Sequence, residues 1–156
     1  MDNLKVEIRK SKTGKGVFAK ENILKSEVIA EFDGRIYSYR SKLWNEDLYN
    51  HCIQFEEKKW RDSLGAARFI NHSCEPNCGI KHLFEVVAMR NIAQGEEIFW
   101  DYEMTEDHPY WRMQCMCAHK NCRGVIGAFK NMPKNKRQEY RGYISEWLVE
   151  KYRLEK

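Results

Sequence analysis

A chain of 156 residues is the size of one domain, and with 42% hydrophobic and 13% aromatic residues it has enough apolar surface for a packed core, which excludes wholesale disorder. No apolar run approaches the ~20 residues of a membrane span. The opening Met1-Asp2-Asn3-Leu4-Lys5 lacks the apolar stretch of a secretory signal, so an intracellular protein is expected. The formal net charge of +4 resides in residues 130–156, where eight Lys and Arg face four Glu. Such a basic tail suits nucleic acid or an acidic partner, or is simply the solvated face of a helix.

In chain order, residues 4–37 read as short strands and turns. Val6-Glu7-Ile8 alternates, Gly14 and Gly16 punctuate, and Val28-Ile29-Ala30-Glu31-Phe32 precedes the Asp33-Gly34 turn. Residues 38–50 fit a short helix or an irregular insert. Cys52-Ile53-Gln54-Phe55 and Phe84-Glu85-Val86-Val87-Ala88 have strand character, a turn is expected around Gly95, and Glu97-Ile98-Phe99-Trp100 resumes a strand. The period changes in the tail. Tyr140, Tyr143, Ile144, Trp147 and Leu148 recur at helical spacing after Pro133, predicting an amphipathic helix whose aromatic stripe docks on the domain.

Three segments carry candidate chemistry. Gly14-Lys15-Gly16-Val17 allows a ligand to approach the backbone, although alone it reads as a plain turn. Arg68-Phe69-Ile70-Asn71-His72-Ser73-Cys74 crowds polar and reactive groups behind an apolar pair, which is not how a core strand reads. Its Asn-His-Ser sequon has little weight without an export signal. A Cys-His nucleophile pair is conceivable, but nucleophile and base usually meet from distant segments. The third segment is Gly95-Glu96-Glu97-Ile98-Phe99-Trp100-Asp101-Tyr102. Six cysteines without an export signal argue for reduced thiols or a metal. Cys115, Cys117 and Cys122 form C-x-C-x₄-C, and Cys74 and Cys78 form C-x₃-C.

In this order and spacing, the segments and the Cys115–Gly124 run resemble the SET-domain methyltransferases with a post-SET zinc motif. The resemblance covers roughly residues 5–127. It implies a mainly β fold of several small curved sheets, with the Asn71 and Tyr102 segments meeting in a pseudoknot-like crossing. It also implies a SET domain over 4–105, a post-SET zinc-binding segment over 111–127 and a C-terminal helical extension over 128–156.

The implied activity is methyl transfer from S-adenosylmethionine to a lysine amine of a protein or peptide substrate, a histone or histone-like protein among the candidates. The implied cofactor-binding residues are Lys15, Gly16, Val17, Tyr49, Asn71, His72 and Tyr102, and Tyr102 is the implied catalytic residue. A phenol with a reference pKa near ~10 orients and stabilises charge more readily than it acts as an anionic base. The lysine amine must lose a proton before attack, so the rate should rise with pH.

The implied zinc ligands are Cys74, Cys115, Cys117 and Cys122, a closed structural set. Cys78 and His119 are rival ligands, and Cys52 and Cys78 otherwise read as ordinary buried thiols. Trp100 stands where the family has tyrosine or phenylalanine, which leaves the number of methyl groups added open. Phe99 replaces a family threonine, and Gly65-Ala66 stands where Gly-Asn is common. No cysteine-rich pre-SET region or reader module is present to name the substrate. So small a chain points to a bacterial or viral source, with a cytoplasmic location if prokaryotic and a nuclear or chromosomal one if it acts in a eukaryotic cell. Two other readings are a non-catalytic SET-like binding module and a zinc-containing nucleic-acid module. The C-x-C spacing is unlike the C-x₂₋₄-C of a finger.

Overall fold

The structure is a computed structural model that describes residues 4–155. Its chain forms short strands grouped into small sheets, with little helix. The first sheet builds the site. Strands β1 (Val6–Ser11) and β2 (Gly14–Ala19) form an antiparallel hairpin whose register runs from Val6 opposite Ala19 to Ser11 opposite Gly14. The turn therefore falls on Lys12-Thr13, and the glycine segment expected to be a turn is mostly strand. The reason lies across the sheet. A Cβ on Gly16 would fall 2.8 Å from Ser11 Cβ and 3.1 Å from Asn71 Nδ2, as well as against Glu97 Oε1, so only glycine lets these groups converge.

Eight further strands complete this sheet and two others. Strand β3 spans Val28–Glu31, β4 Ile36–Ser38, β5 Ile53–Glu56, β6 Lys59–Arg61, β7 Asn71–His72, β8 Cys78–Lys81, β9 Glu85–Ala88 and β10 Glu97–Trp100. The first sheet has the order β1-β2-β10-β7, the second β3-β9-β8 and the third β4-β6-β5. In the first, β10 pairs antiparallel with β2 but parallel with β7, setting Phe99 opposite Asn71 and Trp100 opposite His72. The Asn71 and Tyr102 segments thus meet as expected. The contact continues where Asn77 accepts the Phe99 N–H on Oδ1 at 2.9 Å and donates from Nδ2 to Glu97 O at 2.8 Å.

The insert resolves into an irregular stretch and a short helix α1 (Glu46–His51), whose start is capped by Asn45 Oδ1 accepting the Leu48 N–H. Strands β11 (Met113–Gln114) and β12 (Val125–Ile126) form a small hairpin that carries the cysteine run. The main core joins Val17, Ile29, Phe32, Ile53, Ile70, Ile80, Val86, Ile98 and Met104 from the three larger sheets and their connections. Burying each large apolar side chain stabilises the fold by about 1.5–3 kcal/mol.

The tail departs from the single helix its periodicity predicts. It forms α2 (Lys134–Glu139) and α3 (Glu146–Lys151), separated by a turn in which Gly142 has φ of 81°. Between the helices the chain runs beside β8, with Ile80 N–H donating to Tyr143 O at 2.9 Å. The apolar positions are nevertheless the ones expected to dock. Tyr140, Ile144, Trp147 and Leu148 are buried in the main core. Trp147 Nε1 donates to Thr105 O at 3.0 Å and Tyr140 Oη to Cys74 O at 3.2 Å. Among the described residues no helix is long and apolar enough to cross a membrane.

Candidate active site

The first sheet, α1 and the cysteine hairpin enclose a cleft of about 840 Å³. Lys15, Asn71, His72 and Tyr102 line it, together with Arg68, Glu97 and Met116. Asn71 is fixed at its floor. The two hydrogens of its Nδ2 are shared among Lys15 O at 2.9 Å, Glu97 Oε1 at 3.1 Å and Ser11 Oγ at 3.2 Å. That commitment of the amide nitrogen leaves Oδ1 as the side-chain group free to accept from a ligand. Lys15 holds its ammonium 4.9 Å from the centre of the Phe69 ring.

Three expected binding residues do not line the cleft, of which Gly16 is buried against the Ser11, Asn71 and Glu97 side chains. Val17 is fully buried, with its backbone paired to β1 on one side and β10 on the other, so neither its side chain nor its strand edge reaches the cleft. Tyr49 is 60% exposed and lines two smaller recesses beyond Tyr102, while its neighbours Asn50 and His51 reach the cleft wall. The Val17 and Tyr49 placements depend on packing direction, which the motif does not encode.

His72 edges the cleft, but its ring is committed to the scaffold. Nδ1 accepts the Tyr102 N–H at 3.3 Å, and Nε2 lies 3.5 Å from Cys74 Sγ. Burial lowers its pKa to about 3, with the Arg123 charge adding to the effect, so the ring is neutral and accepts at Nδ1. His72 thereby ties the backbone of Tyr102 to the cysteine cluster.

Tyr102 sits at a junction. It lines the large cleft and also a narrow cavity of about 140 Å³, walled by Phe32, Ile70, Trp100, Thr105 and Trp111 among others. Its hydroxyl donates to Ile70 O at 3.0 Å. Burial pushes the phenol well above its ordinary range, so it stays protonated. Trp100 packs 5.0 Å from the Tyr102 ring, centre to centre, and fills the space beside it.

The four cysteines of the expected metal set converge. The Sγ atoms of Cys74, Cys115, Cys117 and Cys122 all lie within 4.8 Å of one another, and Cys74 and Cys115 are 3.6 Å apart. Tetrahedral zinc–thiolate bonds of ~2.3 Å place sulfurs about 3.8 Å apart, so the cluster matches a four-thiolate site. Arg123 N–H donates to Cys74 Sγ at 3.4 Å and Gly124 N–H to Cys122 Sγ at 3.5 Å, as suits thiolate ligands. The rivals stand apart. Cys78 is buried and donates to Phe99 O at 3.1 Å, and His119 pairs with Glu75 at 3.3 Å. Cys117 also lines the cleft, so the cluster forms part of its rim.

Three contributors had no clear signal in the sequence. Arg123 reaches from the cysteine hairpin into the core, with Nη2 2.7 Å from Asp101 Oδ1 and Nη1 3.3 Å from Glu103 Oε2. Both carboxylates are buried; burial raises Asp101 against the opposing pull of Arg123, and lifts Glu103 to about 7. Arg68 closes the opposite wall by pairing with Asp47 of α1 at 2.6 Å. Glu106, buried on the wall of the narrow cavity, is pushed up to about 7 by desolvation.

Comparison with known proteins supplies the remaining finding. The family model described as SET domain matches residues 14–103. The chain is 35% identical over 132 residues to "Histone-lysine N-methyltransferase 2B" of Homo sapiens, covering 72% of this chain and 5% of that protein. It is 32% identical over 128 residues to "Histone-lysine N-methyltransferase, H3 lysine-4 specific" of Schizosaccharomyces pombe, covering 71% and 14%. It is 31% identical over 158 aligned positions to "Histone-lysine N-methyltransferase ASHR3" of Arabidopsis thaliana, covering 90% and 30%. The chain thus spans less than a third of the length of each of these relatives.

Proposed function

Because the chain belongs to the SET-domain family, we propose that it transfers a methyl group from S-adenosylmethionine to the side-chain amine of a lysine in a protein substrate. The observation that carries this reading is the position of Tyr102, common to a cleft large enough for a nucleoside cofactor and a narrow cavity suited to an extended aliphatic side chain. S-adenosylmethionine, when bound, supplies a methyl group activated on a sulfonium. Lys15 and Asn71 would hold that molecule in the cleft, and Gly16, buried beside them, keeps the Asn71 carboxamide within reach of β2. Phe32, Ile70, Trp100 and Trp111 on the wall of the narrow cavity align the aliphatic stem of the lysine. Alignment of this kind is worth up to ~7–11 kcal/mol in favourable reactions.

Tyr102 has spent its proton on Ile70 O, so its oxygen accepts from the amine and places partial negative charge beside the centre where positive charge moves. The cysteine cluster holds one structural zinc ion and keeps the hairpin over the cleft. The names of the relatives favour a histone or histone-like substrate, and with it a chromosomal site of action. Primary binding of nucleic acid through the tail is disfavoured, because much of its positive charge is used internally. Arg137 donates to three backbone carbonyls, and Lys151 pairs with Asp107 and Glu57.

The test is incubation with labelled S-adenosylmethionine and a panel of histones and cell lysates, comparing wild type with Tyr102→Phe and Asn71→Ala. Tyr102→Phe should stay folded, keep zinc and bind the cofactor, yet lose methyl transfer by roughly ten- to a thousand-fold, as for removal of one preorganised polar group. Asn71→Ala should weaken cofactor binding along with the rate. A folded Tyr102→Phe protein working at the wild-type rate refutes the assignment.

A further inference from the structure

Beyond the narrow cavity lies a recess of about 180 Å³, lined by Tyr39, Trp44, Trp60, His108 and Trp111 around Glu106. Its rings come from the irregular insert, from β6, from the segment after Tyr102 and from the start of the cysteine hairpin. They brace one another. Trp44 meets Trp60 edge-on at 5.5 Å, Tyr39 stacks on His108 at 6.2 Å, and Trp44 Nε1 is anchored to Ser38 O at 2.9 Å. Yet Tyr39 remains 60% exposed, so this cluster presents aromatic faces that the core does not cover.

No Lys or Arg lines the recess, and Glu106 has no ion-pair partner among the described residues. Its neighbour Asp107, by contrast, is engaged by Lys151 and Tyr152. A buried carboxylate without a counter-ion is costly, and a cation seated against it offsets that cost. Glu106 Oε1 already accepts the His108 N–H at 2.9 Å, and the Trp60 indole hydrogen-bonds to the same carboxylate. A cation seated in the recess favours the ionised form of Glu106, which then supplies charge more than an open, directional acceptor. Aromatic faces around such a charge suit a diffuse, weakly hydrated cation.

We propose that this recess receives a second lysine side chain of the substrate, in its methylated form best of all, close in the chain to the lysine being modified. The closeness follows from the walls: Tyr49, Cys52, Glu106 and Trp111 border both this recess and the narrow cavity beside Tyr102. The proposal rests on the methyl-transfer reading for the word substrate; the recess itself binds alkylammonium whether or not the chain is a methyltransferase.

Two measurements separate these. In the first, peptides carrying trimethyllysine, lysine, arginine or norleucine at one position are titrated into the full chain, read by tryptophan fluorescence and by the indole proton resonances. Trimethyllysine should bind at least ten-fold more tightly than norleucine and more tightly than arginine, and Trp44→Ala and Tyr39→Ala should each remove that preference. In the second, an acceptor peptide is methylated with and without a trimethyllysine beside the target. The neighbour should lower KM several-fold for wild type but not for Trp44→Ala or Tyr39→Ala, and both variants should methylate the plain peptide at the wild-type rate. Equal binding of norleucine or arginine overturns the proposal. So does an equal loss of activity on every peptide in both variants, which would make the recess the entrance for the target lysine itself. If alkylammonium binds as expected and no peptide is methylated, the enzyme reading fails and the recess stands.

Discussion

Replacing Arg123 by methionine keeps most of the aliphatic volume but removes the only cation within hydrogen-bonding range of Asp101 among the described ion pairs. Asp101 has no exposed surface and Glu103 is 2% exposed, so neither can recover water. Breaking one partner from a buried ion pair costs about 3–5 kcal/mol, and Arg123→Met should fall in that range near pH 8. The cost should shrink on acidification. Glu103 has a folded pKa of about 7, above its ordinary value of 4.5, so the folded state holds a proton that the unfolded state releases. Its contribution is present at low pH and is lost as pH rises through about 7. Without Arg123 both carboxyls are raised further, and at ~1.4 kcal/mol per unit the penalty should narrow by roughly 1–2 kcal/mol between about pH 8 and pH 6. Urea unfolding of the metal-loaded protein, followed by tryptophan fluorescence at both pH values, measures the difference. Asp101→Asn added to Arg123→Met should recover part of it. Because Asp101 Oδ1 also accepts the Glu103 N–H at the turn that bears Tyr102, methyl transfer should fall in the folded variant too. A loss below 1 kcal/mol, or one independent of pH, would refute this account of the triad.

Metal analysis of protein purified without added zinc should find one equivalent per chain. Cys117→Ser should release it and expose the 111–127 hairpin to protease, because metal binding there is coupled to folding; activity that survives complete chelation argues against the site. Trp147→Ala should lower stability by about 3–5 kcal/mol, since it empties a buried site and orphans Thr105 O. Unchanged stability with loss of a binding partner would make the tail an interaction surface. Trp100→Phe removes a ring from the wall beside Tyr102, so mass spectrometry of the product should shift toward more methyl groups per lysine; an unchanged distribution would show that Trp100 does not set the limit.

Local chemistry made the strands and the cysteine triplet readable from residue order, whereas Tyr102 and the fourth cysteine, Cys74, were pointed to only by the family resemblance. Alternation marks Glu97–Trp100 because one face of that strand packs inward, whereas Val28–Glu31 is marked by its apolar run before the Asp33-Gly34 turn. C-x-C-x₄-C constrains its own sulfurs at short range, so three of the four thiols of the cluster were legible before any fold. The tail's apolar positions were legible as well, and only their division between two helices was not. Helical spacing is blind to a Gly142 turn that lets the chain lie beside β8. Tertiary structure alone decided direction and partnership. Val17 lost its place at the cleft because the middle strand of a sheet has no free edge, and Tyr49 because it lies beyond Tyr102. Arg123, Glu103 and Glu106 acquired their roles from burial, which turns ordinary surface charges into groups whose partners determine stability. Residue order carries no desolvation, and the contacts that create it join segments such as 101–106 and 123 only once the chain has folded.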